Sequence, residues 1–136
     1  MNNLNTNTAE MTNILSTHNV KDTGDRLVSI LTEKGLNVVA RIDHAHGAQS
    51  VGEELRPTQL ILFGNPKMGT LLMQSQQTIA IDLPQKVLVW EDENAQVWLS
   101  YNNPDYLAKR HGISDCGETL SKVSNSLKEI TKNASE

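Results

Sequence analysis

Two apolar-rich runs, residues 86–91 and 96–101, flank the polar stretch 92–95. Runs of that length, carrying valine, tryptophan and tyrosine on either side of a short polar turn, have the signature of an antiparallel hairpin. It is the clearest strand pair in the chain and commits the fold to a sheet with antiparallel pairing. Three further strands are expected. Residues 37–43 carry Val38, Val39 and Ile42, and residues 58–63 are rich in Leu and Ile between Pro57 and Gly64. A weaker pattern over residues 11–16, with Met11, Ile14 and Leu15, is short enough for a first strand.

The helices announce themselves by their ends. Asn19 followed by Asp22 is a cap with an acid three positions on, and Val20, Leu27, Ile30 and Leu31 follow at helical spacing until Gly35. Asn65 can cap a short helix that opens on Pro66, where a missing N–H costs nothing, and Met68, Leu71 and Leu72 share one face. Asn103 and Pro104 repeat that start for a brief helix through Tyr106 and Leu107, ending near Gly112. Asp115 and Glu118 form a cap pair ahead of Leu120, Val123, Leu127 and Ile130, whose spacing of three, four and three makes one apolar stripe. The order is strand, helix, four strands, helix, with two short inserted helices. This predicts an α+β fold in two layers, an antiparallel-rich sheet covered by helices, and disfavours a doubly wound nucleotide fold.

Length and composition bound the rest. At 136 residues the chain holds one domain, expected over residues 11–136. Residues 1–10, mostly Asn and Thr, are expected to form a disordered tail. Twelve Lys and Arg against sixteen Asp and Glu give a net charge of −4, which opposes binding to phosphate backbones. No apolar run approaches the roughly 20 residues that cross a bilayer. Neither nucleic acid nor membrane is an expected partner. The lone Cys116 cannot form an intramolecular bridge, and with no secretory signal it suits a cytoplasmic location.

Four blocks carry a resemblance: ARIDHAHGA (residues 40–48), LRPTQLILFGNPKMGTLLMQ (55–74), IDLPQKVLVWED (81–92) and VWLSYNNPDYLAKRHG (97–112). Together, in this order, the chain resembles domain-of-unknown-function family 302 over about residues 12–131. It departs at His46, where the family pattern more often has a small residue. The resemblance implies a fold similar to the TATA-binding-protein-like class, built as strand, helix, four strands and helix, and a homodimer. It implies no reaction.

The candidate site residues are Arg41, Asp43, His44, Asn65 and Lys67, expected to line one concave surface at strand ends and loops. Arg41 and Asp43 differ by two and so leave one sheet face, where they could pair and orient toward His44. A histidine beside a carboxylate can serve as acid or base near neutral pH. The simpler reading is a surface pair and a turn-capping Asp43. His44 and His46 alternate like metal ligands, but two ligands do not make a site, and neither metal nor cofactor is expected. Gly64–Thr70 joins a strand end, a helix start and Lys67, a setting for an anion that lacks the phosphate-loop consensus. Trp90 and Trp98 are expected on one sheet face, in core or dimer packing. The acidic run Glu91, Asp92 and Glu93 reads as a solvated turn. The leading functional expectation is a homodimeric binding protein for a small molecule, with an anion among the candidates, or for a protein partner. The alternative is an enzyme using His44 and Asp43, with Arg41 or Lys67 stabilising negative charge.

Overall fold

The computed structural model describes residues 7–136. Strand β1 (Met11–Ser16) leads into helix α1 (Val20–Glu33), strand β2 (Asn37–Asp43), helix α2 (His44–Ser50) and strand β3 (Thr58–Gly64). Helix α3 (Pro66–Ser75) and a 3-10 turn (Gln77–Asp82) precede strands β4 (Gln85–Glu91) and β5 (Val97–Asn102), and helices α4 (Pro104–His111) and α5 (Gly117–Ser135) close the chain. The five strands form one sheet in the order β1-β5-β4-β3-β2, and every neighbouring pair is antiparallel. The α+β, two-layer expectation therefore holds.

Alternation along the strands sorts the side chains. Ile61, Phe63, Val87, Val89, Leu99 and Tyr101 point to one face and are buried there. Over them lie the apolar stripes of α1 (Val20, Leu27, Leu31) and α5 (Val123, Leu127, Ile130). Local signals fix the helix starts: Asn19 Oδ1 accepts from the Asp22 N–H at 2.8 Å, and Asn65 Oδ1 accepts from the N–H groups of Lys67 and Met68. Arg26 on α1 donates to the carbonyls of Asn133 and Ala134, satisfying the last turn of α5 and tying the two helices together. A second cluster, Leu72, Ile79, Leu107, Ala108, Ile113 and Leu120, packs the inserted elements against the start of α5.

Several local expectations are corrected. Helix α2, read in the sequence as a loop, forms where Asp43 accepts from the His46 N–H at 2.9 Å. Asn103 begins α4 without a side-chain cap, because its Oδ1 accepts from the Thr12 hydroxyl at 2.6 Å and its amide donates to the carbonyls of Thr8 and Ala9. Asp115 likewise caps nothing: Cys116 holds the cap position of α5, and Asp115 accepts from the Ser75 hydroxyl. Residues 1–6 of the expected tail lie outside the described residues. Asn7 in that tail accepts from the Asn13 N–H at 2.6 Å.

Asp92 is the sharpest correction. Far from a solvated turn charge, it is 1% exposed. Oδ1 accepts from the N–H groups of Asn94 and Gln96, while Oδ2 accepts from the Trp98 indole at 2.9 Å. The Trp98 indole, with these backbone donors, holds the Asp92 carboxyl below its ordinary value. Asp25, Asp115 and Glu129 are lowered too, through Lys21, Ser75 and Lys34 respectively. A carboxyl depressed in the folded state binds its proton more readily when unfolded, so its contribution is fully present above the unfolded value of about 4 and is lost as pH falls through the folded one. The urea midpoint should therefore be flat from neutrality down to about pH 5 and fall below about pH 4. Asp92→Asn, which sets an amide against the indole N–H, should lower the neutral-pH midpoint and reduce that acid dependence. An unchanged midpoint would refute the role given to Asp92.

Candidate functional site

A cavity of about 430 Å³ opens between α3, α5, the start of β2 and the end of β3. Its walls are mostly apolar, with Phe63 from the sheet, Leu72 and Met73 from α3, Leu127 from α5, and Leu83 and Pro84 from the segment before β4. Size and lining fall in the range of small-molecule sites. Asn65, Asn37, Gln85, Thr70 and Ser126 supply the polar side-chain atoms, and among the described residues no charged side chain lines it.

Gly69 faces this cavity from within α3. Glycine in a helix interior is less favourable than alanine by about 1 kcal/mol. Packing does not demand it here, since a Cβ would meet Leu83 Cδ1 at 3.8 Å and Met73 Cε at 3.9 Å, ordinary contact distances. With no side chain at position 69, Leu83 and Met73 are the side chains nearest that part of the wall.

The five expected site residues do not share one surface. The β2–β3 register pairs Asn37 with Gly64 at one end and Asp43 with Gln59 at the other, so Asn65 and Lys67 stand about 20 Å along the strands from Asp43 and His44. Only Asn65 lines the cavity. Asp43 borders a second, open and polar depression of about 760 Å³ at the opposite end, with His46, Glu53, Glu54, Arg56 and Gln59. Lys67 is exposed in the first turn of α3.

Arg41 pairs with neither Asp43 nor His44. It donates to Asp25 at 2.8 Å, to Gln59 at 2.8 Å and to the Lys21 carbonyl. Gly24 makes that approach possible, because a Cβ there would lie 2.6 Å from Arg41 Nη2. The expected Arg41–Asp43 pair is thus replaced by a bond from the sheet edge to α1. His44 is exposed and its ring has no hydrogen-bond partner among the described residues, an arrangement that gives acid–base chemistry at His44 no geometric support. Among the described residues no three His, Cys, Asp or Glu side chains gather to hold a metal ion.

Sequence reasoning missed a hydroxyl–imidazole–carboxylate chain. His111 Nδ1 contacts the Thr78 hydroxyl at 3.0 Å and Nε2 contacts Asp82 at 2.5 Å, while Arg110 donates to both Asp82 oxygens at 2.8 and 2.9 Å. The imidazole is only 8% exposed. Neither His111 nor Asp82 opens onto either depression, so both ring nitrogens serve to clamp the 3-10 turn to the end of α4. That turn contributes Ala80 to the cavity wall, and the clamp therefore holds one side of the cavity in place. Both partners fall inside the quoted blocks, but nothing in a separation of 29 residues marks them as neighbours.

A solved structure of an uncharacterized conserved protein DUF302 from Bacillus stearothermophilus superposes with a TM-score of 0.82, covering 91% of this chain and 97% of that one at 16% identity. At that identity the likeness speaks for the fold. Curated relatives named Fluoride-specific ion channel FluC 1, from Brucella suis and Brucella abortus, are 47% identical over 98 residues, which is 72% of this chain. The match spans only 39% and 36% of their lengths. Among the described residues no helix is long and apolar enough to cross a membrane, so that identity brings no helical membrane span with it. A family model matches residues 12–133, and with the sheet order and helix layer in agreement the chain belongs to the family described as Domain of unknown function DUF302.

Proposed function

We propose that this chain is a cytoplasmic, homodimeric binding protein whose ligand is a small molecule held in the cavity between α3 and α5. The observation that carries the reading is the apolar cavity bordered by Gly69, a helix glycine less favourable than alanine at a wall position where a Cβ would make only ordinary contacts. The methionines of the wall, Met68 and Met73, are flexible and adapt to an occupant. Native mass spectrometry of the freshly purified protein tests the reading. A retained small molecule, lost in Gly69→Phe, is the expected result. Saturating retention by the Gly69→Phe protein would overturn it.

Support for the dimer comes from the sheet face that α1 and α5 leave uncovered. It carries Leu15, Ile42, Leu60, Leu62, Leu88 and Trp90, with Leu15 48% and Ile42 42% exposed. Trp90 pairs with Trp98 in register on this face, and its indole donates to Ser100 at 2.8 Å. Five strands of about six residues present on the order of 500 Å², and two such faces reach the lower end of specific interfaces. Leu15→Glu combined with Ile42→Glu alters two side chains already in water, so each chain should fold as before. Sedimentation should show wild-type dimers and variant monomers, and a variant that stays dimeric would remove this face from the interface.

A second reading follows from the Brucella relatives, in which a segment like this chain is part of a protein named as a fluoride channel. In that reading the chain is a water-facing accessory to such a channel. Adding it to vesicles that hold a fluoride channel should change the rate of fluoride efflux, and an unchanged rate with no co-purification would end the idea.

A further inference from the structure

We infer that the cavity selects an uncharged, largely apolar ligand and rejects anions, in contrast to the anionic ligand expected from Lys67 and the start of α3. The inference rests on the binding reading above and concerns the chemistry of the same site. Every polar wall group is neutral: the amides of Asn37, Asn65 and Gln85 and the hydroxyls of Thr70 and Ser126. None of the charged residues that adjoin the wall in sequence is itself among the lining residues. Lys67 lies between wall residues Pro66 and Met68 without lining the cavity itself. Asp82, next to Leu83 of the wall, is engaged by His111 and Arg110. Lys86, which follows the wall residue Gln85, donates to the Asp82 carbonyl at 3.0 Å.

An anion placed against Phe63, Leu72 and Leu127 would give up its hydration with no opposite charge in the wall to replace it, and an unpaired buried charge is among the costliest arrangements a protein can hold. Asn65 offers a carbonyl oxygen that is an acceptor, already taken by the N–H groups of Lys67 and Met68, and that would repel an anion rather than hold it. Its amide nitrogen has no partner among the described residues and suits a neutral acceptor such as a carbonyl, ether or hydroxyl oxygen.

The test is a pair of fluorescent probes on one scaffold, N-phenylnaphthylamine and its sulfonated analogue anilinonaphthalene sulfonate, titrated into the intact protein. The uncharged probe should bind saturably, one per chain, and the sulfonate should bind about tenfold or more weakly. Displacement by a straight-chain alkanol but not by the carboxylate of equal length would extend the result to aliphatic ligands. Gly69→Phe should abolish binding of the neutral probe, while Leu71→Ala, on the exposed side of α3 and outside the cavity wall, should bind as the wild type does. Equal or tighter binding of the sulfonate, lost in Gly69→Phe, would overturn the inference while leaving the binding reading intact. Absence of saturable binding, or binding untouched by Gly69→Phe, would bring down the binding reading and the inference with it.

Discussion

Leu27→Ala should destabilise the protein by about 2–5 kcal/mol, the largest single effect expected from a conservative truncation here. Leu27 is 0% exposed on the face of α1 that meets the sheet, within the cluster that includes Ile61, Val89, Leu99 and Leu127. Cutting it back removes buried apolar surface and leaves a hole that neighbours on α5 and β3 fill only in part. Folded domains are stable by only about 5–15 kcal/mol, so this one change consumes a large share of the total. Urea unfolding should show a lower midpoint at unchanged slope, the mark of lost stability rather than an altered denatured state. Leu71→Ala, on the 43% exposed outer side of α3, is the matched control and should cost far less. Equal costs at the two positions would refute the assignment of the core.

Gly69→Phe should eliminate ligand retention without eliminating the fold. Its ring enters the same volume that Phe63, Leu83 and Leu127 enclose, and two occupants cannot share it. Helix α3 itself gains from the change, since phenylalanine is a better helix former than glycine, and Gly69→Ala should raise stability by up to about 1 kcal/mol. Stability and binding should therefore move in opposite directions, a pattern that general damage to the fold cannot produce. The check is urea unfolding and probe titration on one preparation of each variant. A Gly69→Phe protein that binds as the wild type does would place any ligand outside this cavity.

Most of the architecture was legible because its signals are local. Asn19 and Asn65 cap their helices through oxygen atoms that reach N–H groups two or three residues on, and a short-range bond of that kind is written in consecutive residues. Asn103 and Asp115 carry the same signal and do something else. Thr12 lies 91 residues from Asn103 and Ser75 lies 40 from Asp115, and these distant hydroxyls take the side chains that would have capped. Asp92 misleads for the same reason, because an acidic turn and a buried clamp on Trp98 read alike until the indole is seen beside it.

The candidate site was less legible than the fold. Arg41, Asp43, His44, Asn65 and Lys67 cluster in the sequence around one hairpin, yet antiparallel pairing sends the two ends of β2 and β3 apart. The Thr78–His111–Asp82 chain and the cavity had no signal at all, since the first joins the 3-10 turn to α4 and the second is assembled from residues on several elements.

The sequence by itself determined the order of the five strands and of helices α1, α3, α4 and α5, most of the faces they would bury and the family to which the chain belongs, because periodicity, caps and turn residues act over a few positions. Tertiary structure alone decided which polar groups would meet and where a volume would stay empty. Those outcomes depend on sheet register and on how α3 and α5 pack across the strands, and both are properties of elements in contact rather than of any stretch of residues.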